Sequence, residues 1–147
     1  MFKHILLPTD GSALSRRAAA TGVELARTVG ARVTALFVAP VPTPLVYEHF
    51  LPVAYMTPEE HEKLIQEASA RYLGTIEKAA AAAGVPFEGL HVTSDYPADA
   101  IVKAAAKHKC DLIVMASHGR KGIKGLLLGS ETAKVLAHAT VPVMVHR

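Results

Sequence analysis

The chain has 147 residues, half of them hydrophobic, with 16 Lys and Arg against 13 Asp and Glu for a formal net charge of +3. Such a chain forms one domain, 1–147, with a sizeable core, and its composition excludes intrinsic disorder. No apolar run approaches the roughly 20 residues of a membrane span, and no aromatic residue interleaves with the local cluster Arg120, Lys121 and Lys124, so neither a membrane nor a nucleic acid is an expected partner.

Residues 3–8 are apolar and read as a strand, cut off by Pro8-Thr9-Asp10 too early for a signal peptide. Ser12 is positioned to cap a helix running to about Val29, with Gly30 as its stop and Ala18, Gly22, Leu25 and Val29 on one face. Val33 to Val38 is a second, β-branched and apolar strand. Prolines at 40, 42, 44, 52 and 58 exclude regular helix from Pro40 to Pro58. Leu45, Val46, Tyr47, Phe50, Leu51 and Tyr55 give that segment more apolar surface than a linker requires. It is expected to fold over the rim of a site or onto a partner subunit, or to serve as a static flap.

A long helix fits residues 58–83, where Ile65, Ala68, Tyr72, Ile76, Ala79 and Ala83 keep the 3.6-residue period, and Gly84-Val85-Pro86 ends it. Leu90 and Val92 alternate with His91 and Thr93, giving a third strand with one wet face. Pro97 opens a helix to about Lys107. Cys110, the single cysteine, has no partner for an internal disulfide and reads as a small buried hydrophobe, with a reducing cytoplasm as the expected compartment. Leu112–Met115 is the fourth strand. A helix from Ser130 to Ala139 carries Val135, Leu136 and Ala139 toward the core, and Val143–Val145 is the fifth strand.

Strands alternating with helices predict an α/β domain, an open parallel five-stranded sheet with helices on both faces. The first, second and fourth strands are continuously apolar and belong in the centre. The alternating third strand and the fifth, opened by Pro142, suit the edges.

Between the fourth strand and the last helix the chain reads Ala116-Ser117-His118-Gly119, then nine residues, then Gly129-Ser130. Glycine at 119 and 129 permits positive φ and a close approach of backbone N–H groups to a ligand. A helix beginning at Ser130 adds free N–H donors and partial positive charge, which suit phosphate. The same glycines also serve a plain strand-to-helix loop, and spacing alone leaves both readings open.

With these residues the chain resembles the universal stress proteins. The phosphate signature of their ATP-binding branch is glycine, two residues, glycine, nine residues, then Gly-Ser or Gly-Thr. The spacing and two of the three glycines match, and Ala116 stands at the first. The resemblance extends from Pro8-Thr9-Asp10-Gly11-Ser12 to the closing Val141-Pro142-Val143-Met144-Val145. It implies the sheet order third-second-first-fourth-fifth, a Rossmann-like nucleotide-binding fold, agreeing with the edges read above. The direction then reverses between the first and fourth strands, and ligands bind at the carboxyl ends of strands at such a point.

The resemblance implies a site of Pro8, Thr9, Asp10, Val38, Met115, Ala116, Ser117, His118, Gly119, Arg120, Gly129, Ser130, Glu131 and Thr132, binding ATP or another adenine nucleotide with Mg²⁺ held mainly by the phosphates. In the family the aspartate matching Asp10 lies beside the adenosine; read as a residue, Asp10 equally suits a turn before a helix. Val38 and Met115 end apolar strands and either sandwich a purine or fill the core. Gly119, Arg120, Gly129, Ser130, Glu131 and Thr132 would line the triphosphate mainly through backbone N–H groups, while Glu131 also suits its helix N-terminus electrostatically. His118 has no Ser, Cys or Asp at partner spacing for nucleophilic catalysis.

No GxxxxGK[ST] loop is present, the eight histidines lack metal-ligand spacing, and the paired glycines of an adenylating pyrophosphate loop are missing. The expected function is that of a nucleotide-binding regulatory stress protein whose occupancy alters its surface for a protein partner. The alternatives are a slow ATPase or phosphotransferase using the same pocket, and a dimeric interaction module that binds no nucleotide. The apolar, terminal strand Val141–His146 predicts a homodimer, since an uncovered sheet edge invites pairing.

Overall fold

The computed structural model describes residues 1–42, 45–48, 51–119 and 127–147, with the backbone alone for 45–48 and 51–55. In chain order the elements are β1 (His4–Thr9), α1 (Ala13–Val29), β2 (Arg32–Ala39), β3 (Leu45–Glu48), β4 (Leu51–Tyr55), α2 (Pro58–Ala82), β5 (Phe87–Thr93), α3 (Pro97–Lys107), β6 (Leu112–Ala116), α4 (Ser130–His138) and β7 (Val143–His146). Five of the strands form one parallel sheet in the order β5-β2-β1-β6-β7. This is the expected third-second-first-fourth-fifth order among the strands of that sheet. The central strand β1 is buried along its whole length, while the edge strand β5 is mostly exposed.

Alternate residues of the central strands feed two cores. Ile5, Leu7, Val33, Ala35, Leu112 and Val114 pack against α1 and α2. Leu6, Leu36, Ile113 and Met115 point the other way, against α3 and Val135 of α4. Burying a Leu or Ile side chain contributes about 1.5–3 kcal/mol, so the two layers fix β1, β2 and β6 firmly and with them the loops at their carboxyl ends.

The helix signals operate largely as read. The Ser12 hydroxyl accepts from the Ser15 N–H at 3.2 Å, and Gly30 closes α1 in the left-handed region at φ 72°. The inward face of α1 is turned from the one expected: Ala18 and Gly22 are buried with Ala19, Val23 and Ala26, whereas Leu25 and Val29 are only partly buried. Gly22 is required there, because a Cβ would lie 2.3 Å from Leu7 Cδ2. On α2, Ile65 and Ile76 are buried as expected, with Ala68 and Tyr72 packed partly buried beside them; Ser69 and Ala80 are buried as well, while Ala79 is exposed. On α4, Val135 is fully buried but Leu136 is 42% exposed, because this nine-residue helix lays a single narrow face on the sheet. Thr57 and Glu60 form a capping box that opens α2.

The Pro40–Pro58 segment contains structure that its prolines concealed. β3 and β4 pair antiparallel in a separate two-stranded sheet, with a register shift between Val46 and Tyr47. The expectation that Leu45, Val46, Tyr47, Phe50, Leu51 and Tyr55 cover a rim concerns side chains outside the described set. Among the described residues, no helix is long and apolar enough to cross a membrane.

Candidate functional site

The crevice begins where β1 and β6 part. Their ladder covers just Ile5–Leu112 and Leu6–Ile113, although β1 continues to Thr9 and β6 to Ala116. Pro8 lies beyond the last paired position and has no N–H to offer a neighbouring strand. β2 lies on one side of β1 and β6 on the other, so this parting is the topological switch point of the sheet.

Asp10 is fixed at the mouth of this crevice by its own loop. Its Oδ1 accepts from the Ser12 N–H at 2.9 Å, a turn that ties the carboxylate to the entry of α1. Beneath it, buried Thr9 Oγ1 accepts from the Gly11 N–H at 3.2 Å and bonds the Ser15 hydroxyl at 3.1 Å. Thr9 thus holds the loop from within the fold. Ser12, which positions Asp10, and Ser15, which holds Thr9, were not among the expected site residues; the Asp-x-Ser spacing is the signal that marks Ser12.

From the other side, the segment after β6 is bound to both of its neighbours. Ser117 donates its N–H to the His146 carbonyl at 2.8 Å, and its carbonyl accepts from the Gly129 N–H at 2.6 Å. Thr132 Oγ1 donates to the Ala116 carbonyl at 2.9 Å, joining the first turn of α4 to the end of β6. The Ser117 hydroxyl lies 3.2 Å from His118 Nδ1. Gly129 is the N-cap of α4 and supplies no side-chain cap bond, so the first-turn amides at Ser130, Glu131 and Thr132 depend on other acceptors.

The two glycines act through proximity and not through left-handed backbone, which corrects half of the expectation. Positive φ occurs at Gly11, Gly30 and Gly84, and Gly129 has φ −70°. A Cβ on Gly119 would lie 2.3 Å from Asp10 Oδ2, and one on Gly129 would lie 3.1 Å from His118 Cα. Residue 119 therefore brings bare backbone against the carboxylate of the opposite loop. Asp10 and Gly119 are 109 positions apart in sequence and meet at one point of the crevice.

The remaining expected residues divide by environment. Met115 is 6% exposed inside the α3-side core, and Val38 packs partly buried against the same cluster, so both line the same side of the sheet. Ala116 packs on Leu14 and Ala18 of α1. The Glu131 carboxylate turns to α3: Oε2 accepts from the Ala98 N–H at 2.9 Å, and Oε1 lies 3.2 Å from Lys134 Nζ. α3 has no side-chain cap from its own N-cap residue, Tyr96, and Glu131 takes that place. It is thus the backbone of Glu131, and not its carboxylate, that faces the loop side of α4. Arg120 lies outside the described residues.

Burial pushes the Cys110 thiol up to about 11, which suppresses the reactive thiolate. Among the described residues, no three His, Cys, Asp or Glu side chains converge as a metal site.

Comparison with known proteins follows this geometry. The model of the universal stress protein family matches residues 1–147. A universal stress protein of Thermus aquaticus is 39% identical over 152 residues, spanning the whole of both chains. The structure of UspA from Lactobacillus plantarum superposes with a TM-score of 0.76 at 25% identity, covering 99% of this chain and 98% of that one. A universal stress protein crystallised in complex with cAMP superposes with a TM-score of 0.69 at 26% identity, covering 98% and 95% respectively. The sheet order, the crevice at its switch point and the full-length match lead to one assignment: the chain belongs to the universal stress protein family.

Proposed function

We propose that this protein is an adenine-nucleotide-binding regulator, with ATP as its ligand and Mg²⁺ held mainly by the phosphates. The observation that carries the reading is the meeting of Asp10 with bare backbone at Gly119, beside the start of α4. Asp10 supplies an acceptor for ribose or the adenine edge. Gly119 and the first-turn amides of α4 supply donors and partial positive charge for phosphate. Glycine at 119 and 129 leaves the space that a Cβ would occupy. The related protein solved with cAMP supports an adenine nucleotide as the ligand class.

In this reading nucleotide occupancy changes the loops after β1 and β6, and with them the surface offered to a protein partner in the cytoplasm. The protein works as a homodimer through Val141–His146. Two features support that interface: β7 is a sheet edge, and Met144 on it is 40% exposed.

The test is direct. The chain has no Trp and four Tyr, so its own absorbance at 280 nm is weak and a bound purine dominates near 260 nm. Protein purified from cells should release adenine nucleotide on heating, and ATP with Mg²⁺ should raise the melting temperature of the emptied protein. Absence of both effects would overturn the reading.

A further inference from the structure

Two arginines reach one cavity on the far side of the Asp10–Ser12 loop. Arg16 of α1 and Arg71 of α2, with Gly11, Tyr72 and Thr75, line a space of about 220 Å³. The two side chains bring two positive charges to the lining of one cavity. Among the described residues neither is ion-paired with a carboxylate.

The helix geometry adds to this positive charge. α1 has no acidic residue in its first turn, where the partial positive charge of a helix favours one. Arg16 and Arg17 follow directly on that turn, and Gly11 of the cavity wall adjoins the N-cap Ser12.

Arg71 is held ready. Its Cζ lies 5.0 Å from the centroid of the Tyr72 ring, a cation–π contact that fixes one face of the guanidinium. The ring in turn meets Phe37 edge-on, with centroids 5.2 Å apart and planes at 86°. It occupies room that Gly11 alone leaves open: at φ +77° a Cβ on residue 11 would lie 2.3 Å from Tyr72 Cε1. Phe37, Tyr72 and Gly11 together set the direction of a side chain that otherwise samples many rotamers.

We propose that this cavity is a second ligand site, one that takes a phosphate group between Arg16 and Arg71. Planar guanidinium matches phosphate in a two-pronged contact. The volume falls below the roughly 300–1,000 Å³ of pockets that enclose drug-sized ligands, so the occupant is inorganic phosphate or the terminal group of a small phosphomonoester. Both arginines are exposed, which lets the ligand enter from solvent. The cavity lies on the α1–α2 side of the sheet, whereas α4 packs on the other, so it is separate from the crevice proposed for nucleotide.

Residue-resolved NMR at constant ionic strength tests the site, with inorganic phosphate and glycerol phosphate as separate probes against chloride. Saturable shifts are expected at the side-chain Nε–Hε groups of Arg16 and Arg71 and at the amides of Gly11 and Thr75. Arg16→Gln and Arg71→Gln should each weaken binding about tenfold or more, the effect of one lost charge-assisted bond. Tighter binding of glycerol phosphate assigns the phosphomonoester, and tighter binding of inorganic phosphate assigns the free ion. Shifts confined to residues 117–132, shifts that grow without saturation as they do with chloride, or binding unchanged in both arginine variants would refute the site.

Discussion

Gly119→Ala separates the requirements of folding from those of binding. The added Cβ would lie 2.3 Å from Asp10 Oδ2, so one of the two must move. The yielding atom is the end of a side chain, and loosening the Asp10–Ser12 turn bond costs the fold up to about 1.5 kcal/mol. That same atom is the proposed acceptor for nucleotide. Displacing it removes a charge-assisted bond of about 1.5–3 kcal/mol, roughly a ten- to hundredfold loss of affinity. Gly30→Ala is the matching control, since residue 30 has φ +72° and nothing within 4 Å of a built Cβ. It should cost about 1–2 kcal/mol of stability through left-handed strain and leave affinity intact. Urea unfolding and calorimetric titration with ATP and Mg²⁺ measure the two quantities. If Gly119→Ala binds within twofold of wild type, Asp10 and Gly119 do not form the ligand site.

Other variants probe neighbouring parts of the structure. Gly129→Val should abolish nucleotide binding by calorimetry and lower the urea midpoint modestly, because its Cβ would press on His118 Cα at 3.1 Å. Glu131→Ala should cost about 1 kcal/mol through loss of the bond to the Ala98 N–H, with little change in affinity; a large affinity loss would return the carboxylate to the nucleotide. Burial, reinforced by Arg32, holds the pKa of His4 below its ordinary 6.5, and His4 Nε2 lies 2.6 Å from Thr34 Oγ1. The unfolded chain therefore takes up the proton first, so stability is full above about pH 6.5 and falls as the pH drops toward the folded-state value. Urea midpoints of wild type should decline across that window more steeply than those of His4→Leu; equal slopes would remove His4 as the cause. Light scattering should give twice the 15.6 kDa chain mass, and Met144→Lys should shift it toward monomer. Met144 is the cleaner probe because Val143 packs on the core; an unchanged dimer would place the contact elsewhere.

What the sequence determined by itself is what local chemistry can dictate. Continuous apolar runs marked β1, β2 and β6 as central, alternation marked β5 as an edge, and Ser12 and Gly30 bounded α1 through bonds made within a few residues. The spacing from Ala116 to Ser130 identified the loop, because short-range turns and a helix start are written in neighbouring residues. Tertiary structure decided what depends on distant partners. Glycine at 119 is required by Asp10, 109 residues away, and not by its own dihedrals. Glu131 is drawn to the uncapped start of α3, which no spacing around Glu131 reveals. The buried face of α1 takes in Ala19, Val23 and Ala26 beside Ala18 and Gly22, a choice made by packing on the sheet. The β3–β4 pair formed where prolines argued for irregular chain, with Pro52 opposite Tyr47 beside the register shift.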